Sequence, residues 1–119
     1  MTDEAKSRKG MPVASGVLFY FPNAIKEVAK CSQIGNEQHH PELPLHWDMS
    51  KSSDEPDALV RHLIDHHINP EDTDGQLHLA KVAWRALAML ERYLANKELK
   101  PTTRGDLAVY IAKHKKKQI

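Results

Sequence analysis

The stretch DGQLHLAKVAWRALAMLERYLA, residues 74–95, constrains this chain more than any other, because only one regular structure gathers its leucines on one side. At about 3.6 residues per turn, Leu79, Ala83, Ala86, Leu87, Leu90 and Leu94 share a face, and Ala80, Val82 and Trp84 widen it. Alanine and leucine are strong helix formers, so a helix is expected from near Gly75 to about Ala95, with Asp74 as its N-cap. A face this wide suits a central helix or one that also meets a second subunit.

The other segments read as shorter helices around one long irregular stretch. Residues 1–12 are polar and expected to be frayed. Val13 to Phe21 (VASGVLFYF) is too short and too broken for a helical pattern, and is expected to be an extended arm on the core. Pro22 and Asn23 offer a helix start, with Ile25, Val28, Ala29 and Ser32 on one side. Gly35 and Asn36 are expected to end that helix, because both tolerate a left-handed C-cap. Residues 36–53 (NEQHHPELPLHWDMSKSS) show no periodicity, and long loops of this kind tend to be functional. Ser53 is a plausible N-cap for a helix reaching Ile68, where Asn69-Pro70 stops it; its apolar side carries Leu59, Val60, Leu63 and Ile64. A last short helix is expected over about Thr103 to Lys113, and residues 114–119 form a basic tail. The expected fold is one all-α domain over residues 13–113.

Composition narrows the function by exclusion. Seventeen basic residues against sixteen acidic ones leave a net charge of +1, so no global field draws nucleic acid or a membrane. No apolar run approaches the roughly 20 residues of a membrane span. The opening MTDEAKSRKG is not a secretory signal, and the single Cys31 fits a reducing cytoplasm. Glycine-rich phosphate loops, a G-x-S-x-G elbow and an H-E-x-x-H helix are all missing from the sequence. Seven of the eight histidines, however, lie between His39 and His78.

Two polar stripes carry the chemistry. On the second of these helices, Asp54, Asp57, Arg61 and Asp65 fall within an arc of roughly 80°, with His62 at its edge. Such carboxylates repel one another unless a cation sits among them, and hard divalent ions prefer oxygen; a solvated face with an Asp57–Arg61 ion pair is the plainer alternative. On the long helix, His78, Lys81 and Arg85 share an arc of roughly 60° opposite the leucines. Three nitrogen donors in a row suit phosphate oxygens, or they simply face solvent. A helical hairpin brings both stripes to one cleft, as a metal–triphosphate substrate requires. The loop adds Glu37, Gln38, His39, His40, His46, Trp47 and Lys51, with Trp47 either stacking a base or plugging the core.

With these residues in view, the chain resembles the phage dATP/dGTP diphosphohydrolases (MazZ-like), distant members of the all-α MazG and HisE pyrophosphohydrolase superfamily. The resemblance rests on SGVLFYFPNA, SQIGNEQHHPELPLHW followed by KSSDEPD, Arg61-His62-Leu63, and DGQLHLAKVAWRAL. It implies a MazG-like helical bundle, assembled as a homodimer or homotetramer, that converts dGTP and dATP to the monophosphate and pyrophosphate. It also implies a phage-encoded protein in the host cytoplasm, depleting dATP and supplying dGMP for 2-aminoadenine synthesis. The superfamily's metal signature is Glu-Glu-x-x-Glu on one helix and Glu-x-x-Asp on the next. Here Ala58 to His62 and His78 to Lys81 stand in those places, with scarcely a carboxylate.

The metal, Mg²⁺ or Mn²⁺, is therefore expected on Glu37, Asp54, Asp57 and Asp74, or on the histidines. His62 or His78 is expected to act as general base, since imidazole titrates near neutrality. Arg61, Lys81, Arg85 and Lys51 are expected to offset the charge of departing pyrophosphate, and Asn36 and Trp47 to hold the purine. The alternatives are a phosphohydrolase that releases tripolyphosphate and a non-enzymatic phage accessory protein binding a host protein or nucleic acid.

Overall fold

The computed structural model describes residues 2–49 and 54–96, and these form four α-helices without a named strand. Ser53 and Lys51, the expected helix over 103–113 and the basic tail lie outside the described residues.

The N-terminal region is helical where frayed and extended chain was expected. Helix α1 spans Asp3–Lys9, its first turn capped by the Thr2 hydroxyl, which accepts from the Ala5 amide at 3.1 Å. Acidic residues at its start and basic ones at its end match the helix dipole. Ala14–Leu18 forms a single π-helical turn. Gly16 permits it, because a Cβ there would lie 3.1 Å from the Pro12 ring.

Helix α2 spans Pro22–His39, starting where Pro22 predicts but passing through Gly35 and Asn36. Among the described residues only Gly75 has a positive φ, so Gly35 adopts no left-handed cap. The Asn36 side chain works further along, donating to the carbonyls of His40 at 3.4 Å and Leu43 at 3.0 Å. It thereby fastens the start of the irregular segment to the end of α2.

Helices α3 (Glu55–Ile68) and α4 (His78–Ala95) form an antiparallel hairpin. The turn between them is built by Gly75, at φ 81°, with its amide on the Asp72 carbonyl at 2.9 Å. A left-handed residue cannot open an α-helix, and Leu77 then stays extended in an antiparallel bridge with Glu71, so α4 begins at His78, three residues later than its sequence pattern suggests. Asp74 caps the turn instead of the helix, accepting from the Gln76 amide at 3.1 Å.

The hairpin turns the His78, Lys81 and Arg85 stripe of α4 toward an α3 edge made of Glu55, Ala58 and His62. Ala58, Ala80 and Ala88 are buried, and so are Glu55, His62, Gln76 and His78. The expected apolar sides point the other way: Val60, Leu63 and Ile64 on α3 and Leu79, Leu87, Leu90 and Leu94 on α4 are each about half exposed. The small Ala58 and Ala88 let the helices approach, and ion pairs fill the space beside them. Arg92 Nη1 donates to Glu55 Oε2 at 2.7 Å, with the glutamate only 2 % exposed. Helix α2 joins through Trp84 of α4, whose indole N–H donates to Ser32 Oγ at 2.8 Å.

Removing one member of a buried ion pair leaves its partner uncompensated and costs about 3–5 kcal/mol; the partial exposure of Arg92 lowers that figure. Glu55→Ala is expected to destabilise the protein by about 2–3 kcal/mol on that basis, measured by urea denaturation.

Candidate functional site

A cleft of about 550 Å³ opens between α2, the irregular segment and the polar seam of the hairpin. That volume is typical of a small-molecule site. Its α4 side carries Lys81, Trp84 and Arg85, its α3 side Glu55 and His62, and its α2 side Ser32, Asn36 and Gln38. Trp47 comes from the irregular segment and meets Trp84 edge-on, ring centroids 5.5 Å apart. Arg85 lies 5.7 Å from the Trp84 ring centroid and Arg92 lies 6.0 Å from that of Trp47, so cations flank both indoles.

Lys81 anchors one end of this seam. Its ammonium donates to Asp72 Oδ2 at 2.6 Å and to Asp74 Oδ2 at 2.8 Å. The Lys81 bond holds the Asp72 carboxyl below the usual carboxylate range. Burial alone would raise Asp74, but the bonds from Lys81, the Gln76 amide and Gln38 outweigh it and hold that carboxyl well below the usual range. Lys81 itself is raised, because the two carboxylates outweigh its desolvation.

Beneath Lys81 lies a group of two imidazoles and a carboxylate. His62 Nδ1 and His78 Nδ1 are 3.0 Å apart, and each is 3.9 Å from Asp72 Oδ2. Both histidines are buried, and these three side chains could hold a metal ion. Burial, with Lys81 and Arg61 nearby, pushes the His62 imidazole down, so it stays neutral at pH 7. Burial also pushes the Cys31 thiol up, which disfavours its thiolate at the edge of the cleft.

Of the residues singled out in the sequence, Asn36, Gln38, His39, His40, His46, Trp47, His62, Asp74, Lys81 and Arg85 line the cleft, and His78 lies behind it. The structure does not bring Glu37, Asp57 and Arg61 there: all three are exposed, and Glu37 accepts from Gln33 on its own helix at 2.9 Å. Asp54 lies at the rim, 3.9 Å from Arg85. The proposed acidic stripe is thus one position out of register, since the inward edge of α3 is Glu55, Ala58 and His62. Glu55, Asp72, Gln76 and Arg92 were missed. Arg92 extends the spacing of His78, Lys81 and Arg85 by two further turns past Ala88, a signal legible in the sequence; Asp72 sits in a turn, where no periodicity marks it.

Fold and cleft together define an all-helical protein with a tryptophan-flanked, cation-bearing site of small-molecule size. More particularly, the chain belongs to the family described as dATP/dGTP diphosphohydrolase, N-terminal, whose model matches residues 2–102. No curated protein and no solved structure gives a significant match. No helix among the described residues is long and apolar enough to cross a membrane.

The charge network of the turn fixes a pH dependence. Asp72 and Asp74 have depressed folded-state pKa values. Their contribution is therefore present above the ordinary carboxylate pKa of about 4 and lost as pH falls below it. Lys81→Met removes the largest of the lowering causes, so the loss of melting temperature between about pH 4 and pH 2 is expected to be shallower in the variant than in the parent protein.

Proposed function

We propose that the protein hydrolyses dGTP and dATP to the monophosphate and pyrophosphate with the help of a divalent ion, Mg²⁺ or Mn²⁺. The observation that carries this reading is the cleft, where two cations on one helix stripe adjoin two tryptophans in a space of nucleotide size. The family's description names the same substrates. In the reaction, a water oxygen bonds to the α-phosphorus and gives up its proton to solvent, the bond from that phosphorus to the bridging oxygen breaks, and pyrophosphate departs with the bond's electrons. Arg85 and Lys81 face the charge that develops on the departing group. Trp47 and Trp84 offer aromatic surface to the purine, and Asn36 lies at the same wall.

A divalent ion, when bound, supplies the Lewis acid that makes water nucleophilic at neutral pH. The carboxylates expected to hold it are dispersed; His62, Asp72 and His78 are gathered, and their donor atoms suit an ion. An imidazole whose lone pair holds an ion is no base, so in this reading the two histidines bind the ion and do not abstract the proton. The wider kinship with MazG-type enzymes, the phage setting and the host cytoplasm belong to the same reading.

We also propose assembly into a homodimer or homotetramer. The support is the outward position of Leu87, Leu90, Leu94, Val60, Leu63 and Ile64, an apolar surface that a monomer leaves in water.

Incubated with dGTP and Mn²⁺ or Mg²⁺, the protein is expected to release dGMP and pyrophosphate, with EDTA abolishing turnover. Product analysis by anion exchange decides: tripolyphosphate with deoxyguanosine, or no product with either ion, refutes the reading. Arg85→Ala is expected to cut kcat by about 100-fold, and Arg85→Lys, which keeps a positive charge beside Glu55, is expected to recover part of that loss. Light scattering at micromolar protein is expected to give a multiple of the 13.5 kDa chain mass; Leu87→Asp with Leu90→Asp is expected to lower it to that mass.

A further inference from the structure

We infer that His62, Asp72 and His78 form a site selective for a nitrogen-preferring transition-metal dication over Mg²⁺, and that Lys81 is its exchangeable counter-charge, holding Asp72 until an ion takes its place. The inference rests on the metal part of the reading above and not on the nucleotide.

The geometry comes from three distances. With His62 Nδ1 and His78 Nδ1 3.0 Å apart and Asp72 Oδ2 3.9 Å from both, a point equidistant from the three atoms lies about 2.1 Å from each, matching metal–imidazole and metal–carboxylate bonds. The short separation of the two nitrogens corresponds to adjacent positions of a coordination sphere, leaving others open. Length alone would also admit Mg²⁺; the donor set ranks it below a transition metal. Mg²⁺ takes oxygen ligands and keeps its waters, whereas imidazole favours Mn²⁺ through Zn²⁺ in the usual affinity order. The histidines are 8 % and 5 % exposed, so an ion here sits at the closed floor of the cleft, not among surface carboxylates.

Lys81 supplies the second half. Its ammonium stands 2.6 Å from Asp72 Oδ2, the same oxygen that faces the two imidazoles. A dication at the equidistant point and an ammonium on that oxygen repel each other at close range in a partly buried setting. Lys81 already has a second partner in Asp74 Oδ2, 2.8 Å away. Asp74 is in turn held by the Gln76 amide and by Gln38. Lys81 therefore moves from two carboxylates to one without becoming unpaired, and its released valence turns to the cleft it lines.

The test uses the full chain stripped of metal, without nucleotide, titrated with Co²⁺ and followed by visible absorption and calorimetry. One Co²⁺ per chain is expected, retained against a 100-fold (~) excess of Mg²⁺. Asp72→Asn and His78→Gln are expected to weaken Co²⁺ by at least about 10-fold, and Lys81→Met to tighten it by about 10-fold, with circular dichroism reporting whether the helices persist. Should those ligand variants fail to fold, the parent protein and Lys81→Met still decide. Parent protein that binds no Co²⁺ at micromolar concentration, or loses it to Mg²⁺ mole for mole, overturns the site. Unchanged or weaker Co²⁺ affinity in Lys81→Met overturns the exchange. Co²⁺ bound as expected with no dGTP turnover refutes the enzymatic reading alone.

Discussion

The charged seam between α3 and α4 is the constraint on which the rest of this molecule depends. Burying Glu55 against Arg92 and Arg85 brings α3 and α4 together along the Glu55–His62 edge, and Lys81 pairs with Asp72 and Asp74 in the turn that joins them. Desolvating those charges is costly, and only close pairing offsets it. Once those edges face each other, the leucine-rich sides have nowhere to go but outward. Cleft and apolar exterior are thus two consequences of one packing choice.

That choice also sets what the cleft can do. Charges held in a partly buried seam act through a lower effective dielectric than surface charges, so the pairs of Lys81 with Asp72 and Asp74 hold more firmly than exposed pairs would. The same confinement keeps His62 neutral and places its Nδ1 against that of His78. The chain matches the family described as dATP/dGTP diphosphohydrolase, N-terminal. The donors that its structure gathers are two imidazoles and one carboxylate, a set that suits a transition metal better than a hard ion.

The turn between the helices links the two halves of the argument. Gly75 reverses the chain, the Asp72 and Asp74 side chains brace the reversal, and Lys81 ties both to α4. The residues that close the hairpin are therefore also those that surround the histidine pair. The turn that closes the hairpin thus also brings Asp72 to the two histidines.

Much of the helical content was legible in the chain itself: Pro22 starts α2, Asn69-Pro70 stops α3, and alanine and leucine carry α4 to Ala95, because propensity and capping act locally. The stripe of His78, Lys81 and Arg85 was legible too, since helical spacing alone groups those residues. Which side of each helix turns inward was not, because periodicity separates two faces without saying which one meets a neighbour. That ambiguity put Asp57 in the expected site where Glu55 belongs and left Asp72 unnoticed in its turn. Extending α2 past Gly35 and starting α4 after Gly75 likewise needed three dimensions: a glycine permits a left-handed residue, but only its surroundings require one. The sequence alone determined an all-helical chain with a nitrogen-rich stripe, through interactions spanning a few residues. Only the tertiary structure decided that the stripe is buried against α3 and that two histidines sixteen residues apart in the chain meet at 3.0 Å, because pairing buried charges is a property of whole helices packed together.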